Sequence, residues 1–478
     1  MSRGRDGVLT LIGLCAGVLA AGVAAAGPFA DPLGTRSTLD DGSAGMADPR
    51  ERACALPPHP LALGEAVDLA LCRNPATHVA WAAAREQAAA LGIAEATWWP
   101  SLSASGSENW VGGPRYISEA NGVAFGSATQ RTADAALNLS LTLFDFGARE
   151  ARVTSARRLL AAAAASANSV SQQVVLAAVE AYYGVVAADA GLAAAEKAEA
   201  AAARSRDVAR GRRDAGVATR ADVLQAETAY DQAVLNRVQS AGLLKGARGT
   251  LAVTVGAPAD REFALNAEPV PAEVPALSAR VADLMAEAAR QRPDLASAEA
   301  AREAADADVA AARASVRPVI TVGASRNFVQ SPGALNQNYN QLALSVSFPL
   351  FTGFDATYRI RAAEAALAAR TANAEQIRLQ VSLDVWNAYA ALDSAVQQLR
   401  ATAALLASAR ENEDVALGRY QAGVGTIVDV LTAQSAAAAA RQQRIGSEQG
   451  WQVARAQLAL ALGRLTSAEP LAAAGQSR

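Results

Sequence analysis

Two kinds of hydrophobic periodicity alternate along the chain, and each of them occurs twice. Strict alternation of apolar and polar positions, which is typical of strands with one apolar face, covers four segments. The clearest are LNLSLTL from Leu137 and LALSVSF from Leu342. The segments come in two pairs, separated internally by the Gly/Asn/Pro-rich stretches VGGPRYISEANG and QSPGALNQNYN. The pattern predicts two β-hairpins with strands of about 9 to 12 residues joined by these loops.

A long helical pattern follows each hairpin. Proline is absent from Arg115 to Ala257 and again from Leu350 to Glu469. Apolar residues in the second of these stretches recur in steps of four and three, as in Val381, Val385, Tyr389, Leu392, Val396 and Leu399. Such a narrow stripe is typical of a coiled-coil seam, and a helix of this extent is about 100 Å long. The predicted helices cover Gly147 to about Asp214 and Gly353 to about Gln421.

Each long helix ends in a similar turn, GRRDAGVATRADVL from Gly211 and GRYQAGVGTIVDVL from Gly418. A glycine in each turn suits the left-handed conformation that terminates a helix. The Thr-x-x-Asp sequences that follow are capping signatures for a second helix. We therefore predict two tight helical hairpins, whose second helices cover Ala221 to Val255 and Val428 to Leu462.

These elements form an internal two-fold repeat. The two copies align at an offset of 218 residues through the first strand of each hairpin and of 207 residues from the end of the hairpin onward, so the first copy has the longer hairpin loop. The chain is predicted to begin with a signal peptide (1–26) and a mobile extension (27–60) and to end with a mobile tail (465–478). Repeat 1 covers 61–256, with helices at 61–99, a β-hairpin at 100–145 and a helix pair at 147–255. After a Pro-rich linker (257–276), repeat 2 covers 277–464, with helices at 277–316, a β-hairpin at 317–351 and a helix pair at 353–463.

The N-terminus indicates the cellular compartment, and the composition and motifs limit the possible functions. Arg3 and Arg5 precede an apolar run that ends in Ala24-Ala25-Ala26, which favours a secretory signal peptide over a membrane anchor. A net charge of -3 gives no basic excess for nucleic acid. G-x-S-x-G, HExxH and phosphate-cradling loops are absent from the sequence, so catalysis has no evident carrier and no cofactor is expected.

Cysteine usage leaves one question open. After signal cleavage only Cys54 and Cys72 remain, and they form either one disulfide or two free thiols. His59 and His78 lie near them, but the spacing of the four residues matches no zinc site, so we expect no metal.

Four strands are too few to close a barrel in lipid. Strands with one apolar face suit a transmembrane β-barrel, in which open edges do not persist. Two copies would supply eight strands, whereas three copies would supply twelve and leave room for a lumen. We therefore predict a mixed α and β membrane protein in which each copy makes a four-stranded contribution to a trimeric 12-stranded barrel. Glu108 and Arg326 lie on the apolar faces, which fits only if they lie near a membrane interface.

The layout resembles the TolC-type outer-membrane factors from about Leu61 to Leu465. The resemblance rests on the signal peptide, the duplicated order of elements, the LFDFG and PLFTGF junctions, and the paired AGVAT-x-x-DVL and AGVGT-x-x-DVL turns. It implies a homotrimer in the cell outer membrane whose long antiparallel helices form a periplasmic α-barrel. It also implies two partners, a periplasmic adaptor (membrane fusion protein) and an inner-membrane ABC exporter or proton-driven pump.

The same resemblance bears on the cargo. Cys15 lies inside the apolar run and not at its end, so a lipidation site is poor. In this respect the chain is more similar to the branch that serves type I protein secretion, including CyaE-like exporters, than to the lipidated drug-efflux branch. The expected function is a passive exit duct for protein secretion, with a small-molecule efflux duct and a periplasmic adaptor protein as alternatives.

The resemblance also assigns residues at the two turns. Asp429 matches the entrance aspartate, Tyr420 a tyrosine that tethers the closed gate, and Asp222 its acidic counterpart in the first copy. Gly425 and Thr432 stand where the best-known member has a gate arginine and a second aspartate ring, which leaves the tether open here. The implied adaptor-docking residues are Ala215, Gly216, Val217, Thr219, Ala422, Gly423, Val424 and Thr426.

Asp429 itself allows two interpretations. An aspartate three residues after a threonine is what a helix start favours, so its role could be capping alone. In a threefold assembly the same residue would add a pore-lining role, because three carboxylates would form a ring that raises cation occupancy.

Overall fold

The computed structural model describes residues 31–33, 35, 54–57, 59–119, 122–266, 280–330 and 337–465, with the backbone alone for 114–119 and 122–130. The predicted signal peptide, most of the predicted extension, half of the Pro-rich linker and nearly all of the tail lie outside these residues. The described residues form two compact units, one lying within 1–43, 85–157 and 310–356 and the other within 44–84, 158–309 and 357–478.

The first unit contains one antiparallel sheet. Its strands are β1 (Ser101–Glu119), β2 (Gly122–Phe144), β3 (Val319–Gln330) and β4 (Gln337–Ser347). Their order in the sheet is β1-β2-β3-β4, so the two hairpins lie side by side and β1 and β4 are its edges. The hairpins pair through β2 and β3, with Leu139 opposite Ala324.

The prediction of a loop over VGGPRYISEANG was wrong. Residues Val111 to Glu119 continue β1 and pair with β2, which makes these strands 19 and 23 residues long instead of 9 to 12. Backbone hydrogen bonds to β2 outweigh the turn preference of the glycines in this stretch. Pro114 lacks an N–H donor, but it lies on an edge strand, where proline is tolerated. In the second hairpin Gln337 to Asn340 likewise belong to β4.

One face of the sheet is apolar near the helices and polar toward the hairpin turns. Cross-strand register places Leu102, Leu139, Ala324 and Leu342 in one row of this face, which we call the leucine face. Leu342 is 78% exposed, so this face has no partner among the described residues. Glu108 and Arg326 both lie on rows closer to the turns than the row of Leu102.

A buried ion pair lies where β2 leads into the following helix. The Arg149 guanidinium donates to Asp145 over 3.0 Å and packs over the Trp98 ring, 4.2 Å from its centroid. The backbone turns sharply between them, with φ of 53° at Phe146 and 91° at Gly147. A non-glycine residue in the left-handed conformation is strained, so the turn needs support from its surroundings. The ion pair between Arg149 and Asp145 provides such support.

The helices of the two repeats correspond one to one. In repeat 1 they are α1 (Leu63–Arg73), α2 (Pro75–Ala96), α3 (Ala148–Asp214) and α4 (Arg220–Thr254). In repeat 2 they are α5 (Val281–Gln291), α6 (Pro293–Ala314), α7 (Asp355–Gln421) and α8 (Ile427–Ala461). The long helices α3 and α7 each have 67 residues, and α4 and α8 each have 35.

In the second unit several hydrophobic clusters pack the long helices together, and three of them lie away from the turns at Gly216 and Gly423 and contain large side chains. Tyr182 of α3 packs with Leu244 and Leu251 of α4. Val175 of α3 lies in a cluster with Ala456 of α8. The predicted seam of α7, which includes Val385, packs against Trp451 and Leu458 of α8. In these three clusters the packing runs from α4 through α3 and α8 to α7, so α4 and α7 are the outer members along this part of the helices.

Cys54 and Cys72 form a disulfide, which answers the question that the sequence left open. The bond joins the segment 54–57 to α1 across a separation of 18 residues. Arg73 reinforces the attachment by donating to the Cys54 carbonyl over 3.3 Å.

Removing this bond is expected to destabilise the protein. A loop of this length predicts a loss of about 3 kcal/mol on the chain-entropy account. The double variant Cys54→Ser/Cys72→Ser should therefore unfold at a lower temperature than the oxidised wild type, in scanning fluorimetry of the detergent-solubilised protein. Treating the wild type with a thiol reductant should produce a similar decrease, and an unchanged transition in both cases would contradict the prediction.

Candidate functional site at the two helix turns

The two helical hairpins end in turns with nearly the same backbone. Gly216 and Gly423 adopt φ of 75° and 84°, as left-handed helix terminators do. Each makes the hydrogen bonds of a Schellman motif, including Val217 N–H to the Arg212 carbonyl and Val424 N–H to the Arg419 carbonyl. Two glycines at these positions therefore produce two sharp reversals between helices.

The helix that leaves each turn begins with a reciprocal cap. The Thr219 N–H donates to Asp222 over 2.8 Å, and the Asp222 N–H donates to the Thr219 hydroxyl over 3.2 Å. Thr426 and Asp429 repeat this arrangement, and the Thr426 hydroxyl also donates to the Asp429 carboxylate over 2.9 Å. Hydrogen bonds from Thr426, backbone first and then side chain, hold the pKa of Asp429 below its ordinary value. Asp429 is exposed and therefore stays ionised at neutral pH.

An arginine clamps the two turns together. The Arg212 guanidinium, in the last turn of α3, donates to the Tyr420 carbonyl over 2.5 Å and lies 4.7 Å from the centroid of the Tyr420 ring. Tyr420 is 4% exposed and packs with Val223 of α4 and Ile427 of α8. Residues of all four long helices therefore meet in one cluster at the turns, although Arg212 and Tyr420 are 208 positions apart.

The Tyr420 hydroxyl lies inside this cluster without a hydrogen-bond partner among the described residues. Burial raises the pKa of Tyr420, and the charge of Asp222 raises it further, while the charge of Arg212 opposes both. The hydroxyl therefore stays neutral, and it is shielded from solvent by the cluster around it.

A small groove opens beside Asp429. Its volume is about 260 Å³, and its lining includes Arg419, Gly425, Asp429 and Thr432. A Cβ at position 425 would lie 3.2 Å from the Tyr420 nitrogen, so any side chain there would press on the end of α7. The positive charge of this turn is instead carried by Arg419, which also contributes to the lowered pKa of Asp429.

The residues singled out from the sequence all lie at these turns. The eight residues of the predicted docking set are exposed, Tyr420 is buried, and Asp222 and Asp429 cap their helices. Sequence reasoning missed Arg212 and Arg419. The repeat offset of 207 pairs these two arginines, and both lie in the last turn of a long helix, so the alignment contained a signal for them.

A sheet with one exposed apolar face, joined to long helical hairpins, is the fold of membrane channels that combine β-barrel and α-barrel parts. Residues 66–257 and 284–464 match the family model described as outer membrane efflux protein. The chain belongs to this family. Its members are passive outer-membrane channels and not enzymes, which excludes the periplasmic adaptor alternative.

Two relatives and one solved structure show the extent of the similarity. Protein CyaE of Bordetella pertussis is 30% identical over 390 residues, which cover 80% of each chain. Outer membrane protein TolC of Escherichia coli is 23% identical over 368 residues, or 74% of this chain and 73% of TolC. The structure of the outer membrane protein VceC of Vibrio cholerae has a TM-score of 0.71 at 20% identity, and the match covers 84% of this chain and 96% of VceC.

The protein therefore lies in the outer membrane and extends into the periplasm. Because the strands continue into helices only at one end, the end with Ser101 and Val319 faces the periplasm and the hairpin turns face the cell exterior.

Proposed function

We propose that three copies of this chain assemble into an exit duct that conducts cargo from an inner-membrane transporter, through a periplasmic adaptor, to the cell exterior. The observation that carries the proposal is the four-stranded sheet, whose two edge strands are unpaired among the described residues and whose leucine face is exposed. Unpaired backbone groups are not tolerated in lipid, so β4 of one copy needs β1 of the next. Three copies give twelve strands, enough for a lumen.

The helices support the same assembly. Both outer helices of the packed set carry exposed apolar side chains, on α4 Leu235, Val238 and Leu243, and on α7 Leu379, Leu383 and Trp386. Leu379, Leu383 and Trp386 follow steps of four and three, as a coiled-coil contact requires. Contact between α4 of one copy and α7 of the next would cover both surfaces and close the helices into a ring.

In this assembly the two turns of each copy form the entrance. Tyr420 and Asp222 lie at the closed entrance with Arg212, and Asp429 forms a ring of three carboxylates. The exposed docking set, which includes Gly216 and Gly423, is the surface that meets the adaptor. An ABC exporter or a proton-driven pump supplies the energy, because the duct itself has none of the nucleotide motifs that would do so.

The similarity to CyaE favours type I protein secretion as the route. The alternative cargo is a small toxic molecule, which the family description as efflux proteins favours. In both cases the duct needs width and smooth walls, while the inner-membrane transporter selects the cargo.

Gene deletion in the source bacterium tests the route. We expect loss of a secreted protein from the medium, restored by the wild-type gene, with unchanged inhibitory concentrations of drugs and detergents. Raised drug sensitivity with normal protein release would instead establish the efflux alternative.

The purified protein should also form a heat-modifiable trimer that conducts ions in planar bilayers, and a monomer without conductance would overturn the duct altogether.

A further inference from the structure

The part of the leucine face nearest the hairpin turns carries polar groups that the duct does not use. Arg326 on β3 lies directly opposite Asn340 on β4, and Phe328 lies opposite Asn338. Directly opposed residues on one sheet face have side chains about 5 Å apart, so a guanidinium, two amides and an aromatic ring share one small area. We call these four residues the Arg326 cluster.

The Arg326 side chain points toward the outer border of the membrane. Its guanidinium carbon lies 5.1 Å from the centroid of the Phe328 ring, which belongs to the next row toward the turns. Arg326 is exposed, and no described carboxylate lies within ion-pair distance of it. By contrast Arg131, on the same face, is paired with Glu108.

The depth of Arg326 places its charge at a headgroup. It lies seven residues from the periplasmic end of β3, which is roughly 23 Å along the strand and about 18 Å along the membrane normal for a strand tilted by 40°. The apolar band of an outer-membrane barrel is about 25 Å tall, so an arginine that extends toward the turns reaches the outer leaflet boundary.

We propose that the Arg326 cluster binds the headgroup of a phosphorylated glycolipid in the outer leaflet. The inference rests on the closed barrel proposed above, in which the leucine face contacts lipid. Arginine matches the planar arrangement of phosphate oxygens, and the amides of Asn338 and Asn340 can bond sugar hydroxyls. Phe328 offers an apolar surface to the sugar ring. A neutral lipid headgroup would leave the guanidinium without a partner in a poorly hydrated place, which makes a phosphate-bearing lipid the favoured occupant.

The test measures lipid retained by the purified wild-type trimer in native mass spectrometry. Two probes are compared, bisphosphorylated lipid A and its dephosphorylated form with the same acyl chains. The wild type should retain the phosphorylated probe and bind the other weakly, and Arg326→Gln should bind the phosphorylated probe about tenfold more weakly, the effect of one lost charge-assisted contact. Arg326→Lys should retain part of the affinity.

Arg361→Gln is the matched control, because Arg361 also rests on an exposed aromatic ring, that of Tyr358, but lies on α7 outside the sheet. It should bind lipid A like the wild type. Equal binding by Arg326→Gln and the wild type, or binding that ignores phosphorylation, would overturn the proposal. If Arg326→Gln fails to form trimers, Asn338→Ala/Asn340→Ala replaces it and must weaken binding. Conductance is recorded in parallel, so loss of the lipid site with an intact channel separates this inference from the proposed duct.

Discussion

Replacing Gly256 with alanine is expected to destabilise the protein by about 2 to 5 kcal/mol, the sum of left-handed backbone strain and overpacking. Gly256 follows α4 with φ of 73°, a conformation that L side chains rarely adopt. A Cβ there would also lie 2.6 Å from the Arg73 carbonyl oxygen at the end of α1. The contacting atoms are the Cβ and the carbonyl group of Arg73, and none of them is the far end of a flexible side chain. The added methyl group must therefore displace α1 from α4.

The repeat supplies a second case and a control for this prediction. Gly463 has φ of 75°, and its Cβ would lie 2.7 Å from the Gln291 carbonyl oxygen, so Gly463→Ala should behave similarly. Gly216 has the same φ of 75° but nothing within 4 Å of its Cβ position. Gly216→Ala should therefore cost only the backbone strain, about 1 kcal/mol.

Scanning fluorimetry of the three variants in detergent measures the difference. The melting temperatures of Gly256→Ala and Gly463→Ala should fall well below that of Gly216→Ala, which should remain close to the wild type. Equal decreases in all three would show that the close approach of α1 and α5 to these glycines has no energetic consequence.

Sequence alone predicted the helical half of the fold because its signals are local. A stripe with steps of four and three, a glycine and a Thr-x-x-Asp cap lie within one stretch of chain, and each has one dominant structural outcome. The bounds of α4 and α8 differ from the predicted ones by a single residue at each end. Repetition of the same signals 207 residues later removed most of the ambiguity that one copy would have left.

The first hairpin was predicted less well because its outcome depends on pairing. Gly112, Gly113 and Pro114 favour a turn when considered locally. In the structure each of them has a partner on β2, at positions 127–129, and the ladder of hydrogen bonds extends the strand past them. Local preference cannot show how far two strands stay in register, since that depends on residues elsewhere in the chain.

The contacts of the site likewise divide into local ones, which the sequence predicts, and tertiary ones, which it does not. The caps at Asp222 and Asp429 were predictable because each is made by residues three positions apart. The clamp of Arg212 on Tyr420 was not, because it joins two repeats through tertiary packing. Resemblance directed attention to position 425, which is glycine here, whereas the arginines that interact with Tyr420 and Asp429 are Arg212 and Arg419.

The expected result for Asp429→Asn is a fall of at least about fivefold in the ratio of cation to anion permeability, since loss of a single charge a few ångströms from an ion in water already has this effect. The change removes three carboxylates from the proposed entrance ring but retains an oxygen that can cap α8. Single-channel reversal potentials of the trimer in a salt gradient measure it. Because hydrogen bonds from Thr426 lower the pKa of Asp429, the carboxylate is ionised above that pKa, and wild-type selectivity should persist at pH 5.

Thr426→Ala is the complementary variant, since it breaks the side-chain half of the cap and leaves the charge in place. If Asp429 has a pore-lining role, Thr426→Ala should lower stability and keep cation selectivity, while Asp429→Asn should do the reverse. If Asp429 only caps the helix, Asp429→Asn should leave selectivity unchanged. The two variants therefore separate the capping role from the pore-lining role of this carboxylate at the start of α8. Loss of its charge changes ion selectivity only if the carboxylate lines the lumen of a symmetric assembly.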